Sequence, residues 1–307
     1  IAGPIQADEG SDGRAWSGST ATCKTGSAAA AGPRRARRSS PSKVRPIVVG
    51  LDNGRTTSLG EIPWPTASVA RSYTPFMRAA LVVFEVLPEP AANLARMAAW
   101  CNEAADEGAE LVLFSEACLT GLVNNDDPRH DLLLGAGIPG PATEVLSRVA
   151  RGRGIHIALG LLERDEDQLF DSAILLDEKG DLALHYRRIT AGWHGRLVDH
   201  TTYGQGYDLP TVTTRLGSFA FLLCGDLFDD AVADRARDLH PDWLLFPLWR
   251  EFVDHARDPK EWAETEEASY AERVARVGST TLMVTALAKE ELGGGAFGGA
   301  WVRSPDG

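Results

Sequence analysis

No apolar run in the sequence approaches the roughly 20 residues that a bilayer-spanning helix requires, which argues against a membrane protein. The opening residues lack the basic start, apolar centre and small-residue cleavage site of a secretory signal, so export is not expected. Cysteine is scarce. Cys23, Cys101, Cys118 and Cys224 are too few and too scattered for a disulfide framework, and none sits at zinc-ligand spacing. A reducing cytoplasm is the natural compartment, and no metal is expected. Positive charge is also in deficit, with 31 Lys and Arg against 43 Asp and Glu. That balance favours solubility and argues against nucleic acid as the main partner. No internal repeat is present. What is there is an ordinary globular composition, 44% hydrophobic over 307 residues, long enough for one large domain or two small ones.

The charge is unevenly spread. The first 76 residues carry a net charge of about +5, which leaves about −17 on the remainder. This leading stretch is rich in Ser, Ala, Gly, Arg and Pro and sustains neither helical nor strand periodicity. It lacks the apolar surface needed to offset chain entropy, so residues 1–76 are expected to be disordered or a non-native upstream extension. Arg34, Arg35, Arg37 and Arg38 form a basic cluster, read as a solvated tail rather than a nucleic-acid patch.

From Met77 onward the pattern changes. Ala79 to Val86 reads as a buried strand, and Leu94, Met97, Ala98, Cys101 and Ala105 share one helix face. Leu111 to Phe114 is a second strand, and Pro141 starts a helix. Ile155 to Leu161 is the next strand. Ala173 to Leu176 and Leu182 to Tyr186 flank a hairpin turn at Glu178-Lys179-Gly180. Then follow a strand over Phe219 to Cys224, a helix over Ala231 to Leu239 and a strand over Leu244 to Phe246. A long helix near Lys260 to Val277 and a strand over Leu282 to Ala286 complete the pattern. Strands alternating with helices, interrupted by hairpins, predict a mixed α/β layered domain over 77–307. Pro305-Asp306-Gly307 favours a turn, so a further strand is expected beyond it and the domain is read as incomplete at its C-terminus.

Three segments place a polar residue where the chain leaves a strand, the end at which open α/β sheets gather their sites. Leu111-Val112-Leu113-Phe114-Ser115-Glu116 delivers a carboxylate into poorly hydrated surroundings, where desolvation raises its pKa and makes it a usable base. Read alone, Glu116 is also readable as an acid that caps the next element or pairs with an arginine. Phe219 to Asp226 ends a strand in Cys224-Gly225, a turn that exposes the sulfur and aims backbone N–H groups at a developing oxyanion. Read alone, Cys224 is equally a small buried hydrophobe. His185-Tyr186-Arg187-Arg188 supplies cations that neutralise an oxyanion or simply pair with surface acids.

Taken together and in order, these segments resemble the Glu-Lys-Cys set of the nitrilase (carbon–nitrogen hydrolase) superfamily. Phe114-Ser115-Glu116 through Leu119-Thr120-Gly121 resembles the glutamate motif of that family, and Leu223-Cys224-Gly225-Asp226-Leu227-Phe228 its nucleophile motif. Ile138-Pro139-Gly140-Pro141, Gly160 to Arg164 and Gly298-Gly299-Ala300 resemble further family segments. The resemblance covers nearly all of 77–307. It implies a four-layer α-β-β-α sandwich, neither metal nor organic cofactor, a homo-oligomer (dimer or higher) and a small-molecule amide or related substrate. By position it makes Cys224 the nucleophile and Glu116 the base, and puts the Gly225 N–H in the oxyanion hole. The catalytic lysine of the family falls on Arg188, which keeps the charge but replaces a compact ammonium with a planar fork. Phe228-Asp229-Asp230 also departs from the family pattern, and Asp199 is the nearest candidate for a further family glutamate. Trp193 and His194 fall in one cleft-forming loop, Trp249 and Arg250 in another. Arg250 either grips a substrate carboxylate or pairs with Glu251 or Asp254. Cys118 is expected to be structural and Cys101 to lie in the core. The expected activity is hydrolysis of a small amide, nitrile or carbamoyl compound through a thioester. The alternative is a catalytically impaired member that binds a ligand or partner.

Overall fold

Two mixed β-sheets pack face to face in a computed structural model that describes residues 47–52, 55–57, 77–250, 259–289, 291–292 and 295–305. The chain divides into 1–42 and 43–307, and every described residue belongs to the second unit. The first sheet is built from β1 (Ile47–Asp52), β2 (Arg55–Thr57), β3 (Met77–Leu81), β4 (Leu111–Leu113), β5 (His156–Asp165), β6 (Gln168–Leu176) and β7 (Leu182–Arg187), in the order β2-β1-β3-β4-β5-β6-β7. The second holds β8 (Thr211–Thr214), β9 (Gly217–Phe221), β10 (Trp243–Leu248), β11 (Thr280–Ala288) and β12 (Ala296–Arg303), in the order β12-β11-β10-β9-β8. Strands β3, β4 and β5 run parallel, as do β9, β10 and β11, and the remaining pairings are antiparallel.

The parallel centre explains why these strands read as continuous apolar runs. Every residue of β4 and β10 is buried, because each sheet is covered on both faces. Period two still divides β3: Ala79 and Leu81 face the second sheet, while Ala80 and Val82 face α1 (Pro90–Asp106) and α3 (Pro141–Arg153). Met97, Cys101 and Ala104 of α1, with Leu146 and Ala150 of α3, close that outer face. On the far side, α4 (Asp230–Asp238) and α6 (Glu267–Val277) bury Val232, Ala233, Val274 and Val277 against the second sheet. The result is the four-layer α-β-β-α sandwich. Proline at the start of α1 and α3 lacks only an N–H that would go unbonded anyway. Asp229 caps α4 by accepting from the Val232 N–H at 3.0 Å.

Several elements differ from expectation. Ile47–Asp52 and Arg55–Thr57 are strands, and β1 pairs along all of β3, although they fall in the stretch expected to lack structure. The local reason is Ile47-Val48-Val49-Gly50-Leu51, a short β-branched run inside a polar tail. The Arg34–Arg38 cluster and the rest of that stretch lie outside the described residues. The first expected strand ends at Leu81 rather than Val86. The long helix breaks at Glu266 into α5 (Pro259–Thr265) and α6. β8 and β12 are strands where the sequence pattern predicts none. Among the described residues, no helix is long and apolar enough to cross a membrane.

Candidate active site

Glu116 follows β4 by three residues, and its position is fixed by a close approach to β5. A Cβ at Gly160 would lie 2.6 Å from the Glu116 Cα, so any side chain there would push the glutamate out of place. The Gly160 N–H donates to Ser115 O at 3.1 Å, and the Cys118 N–H donates to Gly160 O at 3.0 Å. Ala117, directly after the glutamate, takes a left-handed φ of 44° and turns the chain away. Glu116 is fully buried. Its Oε1 accepts from Arg188 Nη1 at 3.0 Å, and its Oε2 has no partner. Burial pushes its carboxyl well above the usual carboxylate range; the nearby Cys224 and Asp171 reinforce this, and the Arg188 charge opposes it.

Arg188 leaves the end of β7 and is 4% exposed. Nη1 also reaches Asp171 Oδ2 at 3.2 Å, and Nε donates to Thr190 Oγ1 at 3.1 Å. The other arm of the fork, Nη2, lies against two glycines. A Cβ at Gly225 would collide with it, and one at Gly192 would lie 3.1 Å away. The wide guanidinium therefore needs a glycine at position 225, and a side chain at position 192 would crowd it. Burial alone would weaken its protonation, but Cys224, Glu116, Asp171 and Asp226 outweigh that, so Arg188 stays charged.

Cys224 lies beyond the end of β9, at the first position of a 3-10 turn (Cys224–Phe228), and adopts a left-handed φ of 40°. That conformation is strained for a residue with a Cβ, and it is held from below by Asp226. Asp226 Oδ2 accepts from Tyr186 Oη at 2.6 Å and from the Leu223 N–H at 3.2 Å. Its Oδ1 accepts from the N–H groups of Ile189 and Thr190 at 3.2 and 2.8 Å. One buried carboxylate thus staples the cysteine turn to the segment carrying Arg188. Cys224 Sγ is half-buried and donates to Trp249 O at 3.6 Å. It opens on a cleft of about 430 Å³ lined by Gly225, Phe228, Trp249, Arg250, Glu266 and Tyr270, among others.

The sequence-predicted residues divide. Glu116, Arg188, Cys224 and Gly225 come together, and Trp249 and Arg250 line the cleft beside them. Arg250 pairs with Glu266, with Nε to Oε2 at 2.7 Å; Glu251 and Asp254 lie outside the described residues. Trp193 and His194 pack with Tyr203, at ring separations of 6.0 and 5.7 Å, and Trp193 clusters with Ala117, the residue after Glu116; neither lines the 430 Å³ cleft. Asp199 is exposed, and its Oδ1 accepts from Thr201 N–H and Oγ1; it does not reach the cleft. Cys101 and Cys118 are fully buried, and burial pushes both thiols up. Among the described residues, no group of three or more His, Cys, Asp and Glu is placed to hold a metal ion.

Sequence reasoning missed Asp171, Glu266 and Tyr270, and left Asp226 as a motif letter without a role. For Asp171 a signal existed: it is an acid inside the apolar run Leu169 to Leu176, where an unpaired charge is costly. For Tyr270 and Glu266 none did, because both sit on ordinary helical text.

Comparison with known proteins bears on this constellation. The family model described as Carbon-nitrogen hydrolase matches residues 78–307. A nitrilase of Paraburkholderia phymatum is 26% identical over 201 residues, 58% of this chain and 57% of that protein. An arylacetone-specific nitrilase of Alcaligenes faecalis is 33% identical over 167 residues, 49% of this chain and 46% of that protein. The chain therefore spans about half the length of these curated relatives. Among solved structures, a variant of an amidase from Nesterenkonia sp. superposes with a TM-score of 0.61 at 21% identity, over 78% of this chain and 86% of that one. That structure shows covalent addition of the acetamide moiety of fluoroacetamide at its active site cysteine.

Proposed function

The chain belongs to the carbon-nitrogen hydrolase family, and from that premise we propose that it hydrolyses the C–N bond of a small amide or a related nitrile through a cysteine thioester. One observation carries the reading: Arg188 bridges the buried Glu116 to the Cys224–Gly225 turn, so a base, a cation and a nucleophile share one site at the mouth of a cleft. The covalent adduct seen on the cysteine of the Nesterenkonia amidase supports the same chemistry here.

In this reading Glu116 takes the thiol proton of Cys224, and the sulfur attacks the carbonyl carbon. The oxygen of the tetrahedral intermediate gains a negative charge, which the Gly225 N–H and the Arg188 guanidinium receive. Glu116 then gives its proton to the departing nitrogen, the C–N bond breaks, and an amine or ammonia leaves a thioester on Cys224. Water attacks the thioester with Glu116 again as base, releasing the acid and restoring the thiol. A carboxyl with a raised pKa suits this work, since it must give up and regain a proton near neutral pH. The size of the cleft and the Arg250–Glu266 pair at its wall point to a compact polar substrate.

The test is intact-protein mass spectrometry after incubation with a panel of small amides and nitriles. An acyl adduct that maps to Cys224 and is absent from Cys224→Ala is the expected result. Turnover by Cys224→Ala would sink the mechanism. No adduct and no product, with Cys224 alkylated no faster than a free thiol of pKa about 8.5, would favour the second reading, a ligand-binding member. The feature supporting that reading is the Arg188 charge, already engaged by Glu116 and Asp171.

A further inference from the structure

We propose that Asp171 is a positioning residue that adapts this site to arginine, clamping the Arg188 fork and sharing one proton with Glu116, and so sets the pH at which the base becomes available. The proposal rests on the assignment of Glu116 as base and Cys224 as nucleophile.

The argument starts from charge. Asp171 and Glu116 are both buried, and both touch the same nitrogen, Arg188 Nη1, at 3.2 and 3.0 Å. Each carboxyl also keeps one oxygen without a partner, Asp171 Oδ1 and Glu116 Oε2. Two carboxylates and one guanidinium leave an excess negative charge in a dry site, which a shared proton relieves. The other ionisable groups facing Glu116 do not relieve it. Cys224 and Tyr270 add negative charge when they ionise, Arg250 is occupied by Glu266, and Asp226 is already held by Tyr186 and three backbone N–H groups. A proton therefore resides in the pair. Burial raises both carboxyls, but the neighbouring Asp171 raises Glu116 further, whereas the Arg188 charge and the neighbouring Glu116 lower Asp171. The pair therefore favours the proton on Glu116 and the charge on Asp171.

Geometry explains why an arginine needs this acid. A guanidinium presents nitrogens in a fixed plane and cannot swivel a single donor toward whichever group needs it. Thr190 fixes Nε, Gly192 and Gly225 make room for Nη2, and Asp171 with Glu116 fixes Nη1. Asp171 also sits beside Arg188 in the β6–β7 pairing, where the Arg188 N–H donates to Asp171 O at 2.8 Å. The same residue thus orients the cation through its backbone and its side chain.

The test measures the pH dependence of Cys224 alkylation by iodoacetamide, located by peptide mapping, in wild type, Asp171→Asn and Asp171→Glu. This readout needs no substrate. Removing the Asp171 charge should let Glu116 ionise earlier, moving the alkylation midpoint down by about 1 pH unit, or about tenfold in rate on the acid side. Asp171→Glu keeps the charge and should leave the midpoint near the wild-type value. A midpoint in Asp171→Asn that stays put or moves up would overturn the proposal. Should Asp171→Asn fail to fold, Asp171→Ser, also uncharged, decides by the same criterion. The two readings fail separately. If the midpoint shifts but no amide or nitrile is turned over, the role of Asp171 stands and the hydrolase reading falls. If turnover is found and its acid limb does not move in Asp171→Asn, the reverse holds.

Discussion

Arg187 and Arg188 are neighbours in sequence, yet they serve two buried glutamates in opposite ways. Arg187 meets Glu163, whose carboxylate is saturated: Ser172 Oγ at 2.5 Å, His185 Nε2 at 2.8 Å, Arg187 Nε at 3.0 Å and Arg187 Nη2 at 2.6 Å. Burial would raise Glu163, but the bonds from His185, Arg187 and Ser172 overcome it and hold the carboxyl down at about 2. Arg188 meets Glu116, which has one bond, one bare oxygen and a competing acid beside it, and burial wins. Neither carboxyl is open to solvent, but Glu163 has the partly exposed His185 and Arg187 beside it, whereas Glu116 lies deeper, against the buried Arg188. Depth and hydrogen-bond satisfaction together separate the two. A saturated buried acid stabilises a fold, and an undersatisfied one keeps a proton within reach for chemistry.

Exchanging each acid for its amide is the strongest way to break that comparison. Glu116→Gln should lower turnover by about 10²–10⁴-fold, the usual weight of a general base, without loss of stability. The sign follows from the raised carboxyl. Its stabilising, protonated form is fully present below the unfolded value and is lost as pH rises through the folded one. Glu116→Gln should therefore melt progressively higher than wild type as pH increases. A melting temperature that falls below wild type at alkaline pH would show that Glu116 is held as a structural ion. Arg188→Ala is expected to cost about 10²–10³-fold in rate, the weight of a lost oxyanion donor, whereas Arg187→Ala should leave Cys224 alkylation unchanged. Equal losses in the two variants would erase the distinction between the arginines.

Glu163→Gln ranks next and reads out on stability. It should cost about 1–3 kcal/mol at neutral pH by weakening four bonds to a buried carboxylate. Because the folded carboxyl is depressed, its contribution is present above the unfolded value near 4.5 and is lost as pH falls toward about 2. The wild-type chain should lose stability across that window, and Glu163→Gln should lose less. Parallel acid-unfolding curves for the two chains would refute the assignment.

This contrast also marks what could be read in advance. The α/β layering was legible because each parallel strand is a short apolar run and each helix carries a periodic face, as in Leu111 to Phe114 and Leu94 to Ala105. Glu116 and Cys224 stand out as candidates because each closes an apolar run, and Arg188 becomes one only through its place between them in the order of the motifs. Asp171 was not assigned a role, because its partner Arg188 joins it only through the strand pairing of β6 with β7. Trp193, His194 and Asp199 are placed near the site by the family resemblance of their loop. In the structure Trp193 and His194 pack on Tyr203, which is itself anchored by donating to Asp131 Oδ2 at 2.6 Å, and Asp199 is exposed. The β1 strand does not stand out because composition averaged over a long polar stretch hides a six-residue strand with only three β-branched residues.

The mildest test compares two tyrosines, and it carries the same lesson into the cleft. Tyr186 donates to Asp226 Oδ2 at 2.6 Å and so supports the turn that strains Cys224. Tyr270 lines the cleft, packs edge-on against Phe228 at 4.8 Å, and its hydroxyl is hydrogen-bonded to none of the described residues. Burial pushes both hydroxyls up, so each remains a neutral donor at working pH. Tyr186→Phe leaves a buried carboxylate short of one donor and should cost about 1–3 kcal/mol. Tyr270→Phe removes a donor that the fold does not use, so its melting temperature should stay at or slightly above that of wild type. A polar substrate in the cleft would still miss that donor, at a cost of about 0.5–1.5 kcal/mol, or roughly two- to tenfold in kcat/KM. Melting curves and steady-state kinetics on the two variants separate these outcomes. A loss of stability in Tyr270→Phe with unchanged kcat/KM would place that hydroxyl with the saturated, structural groups and leave substrate recognition to the Arg250–Glu266 wall.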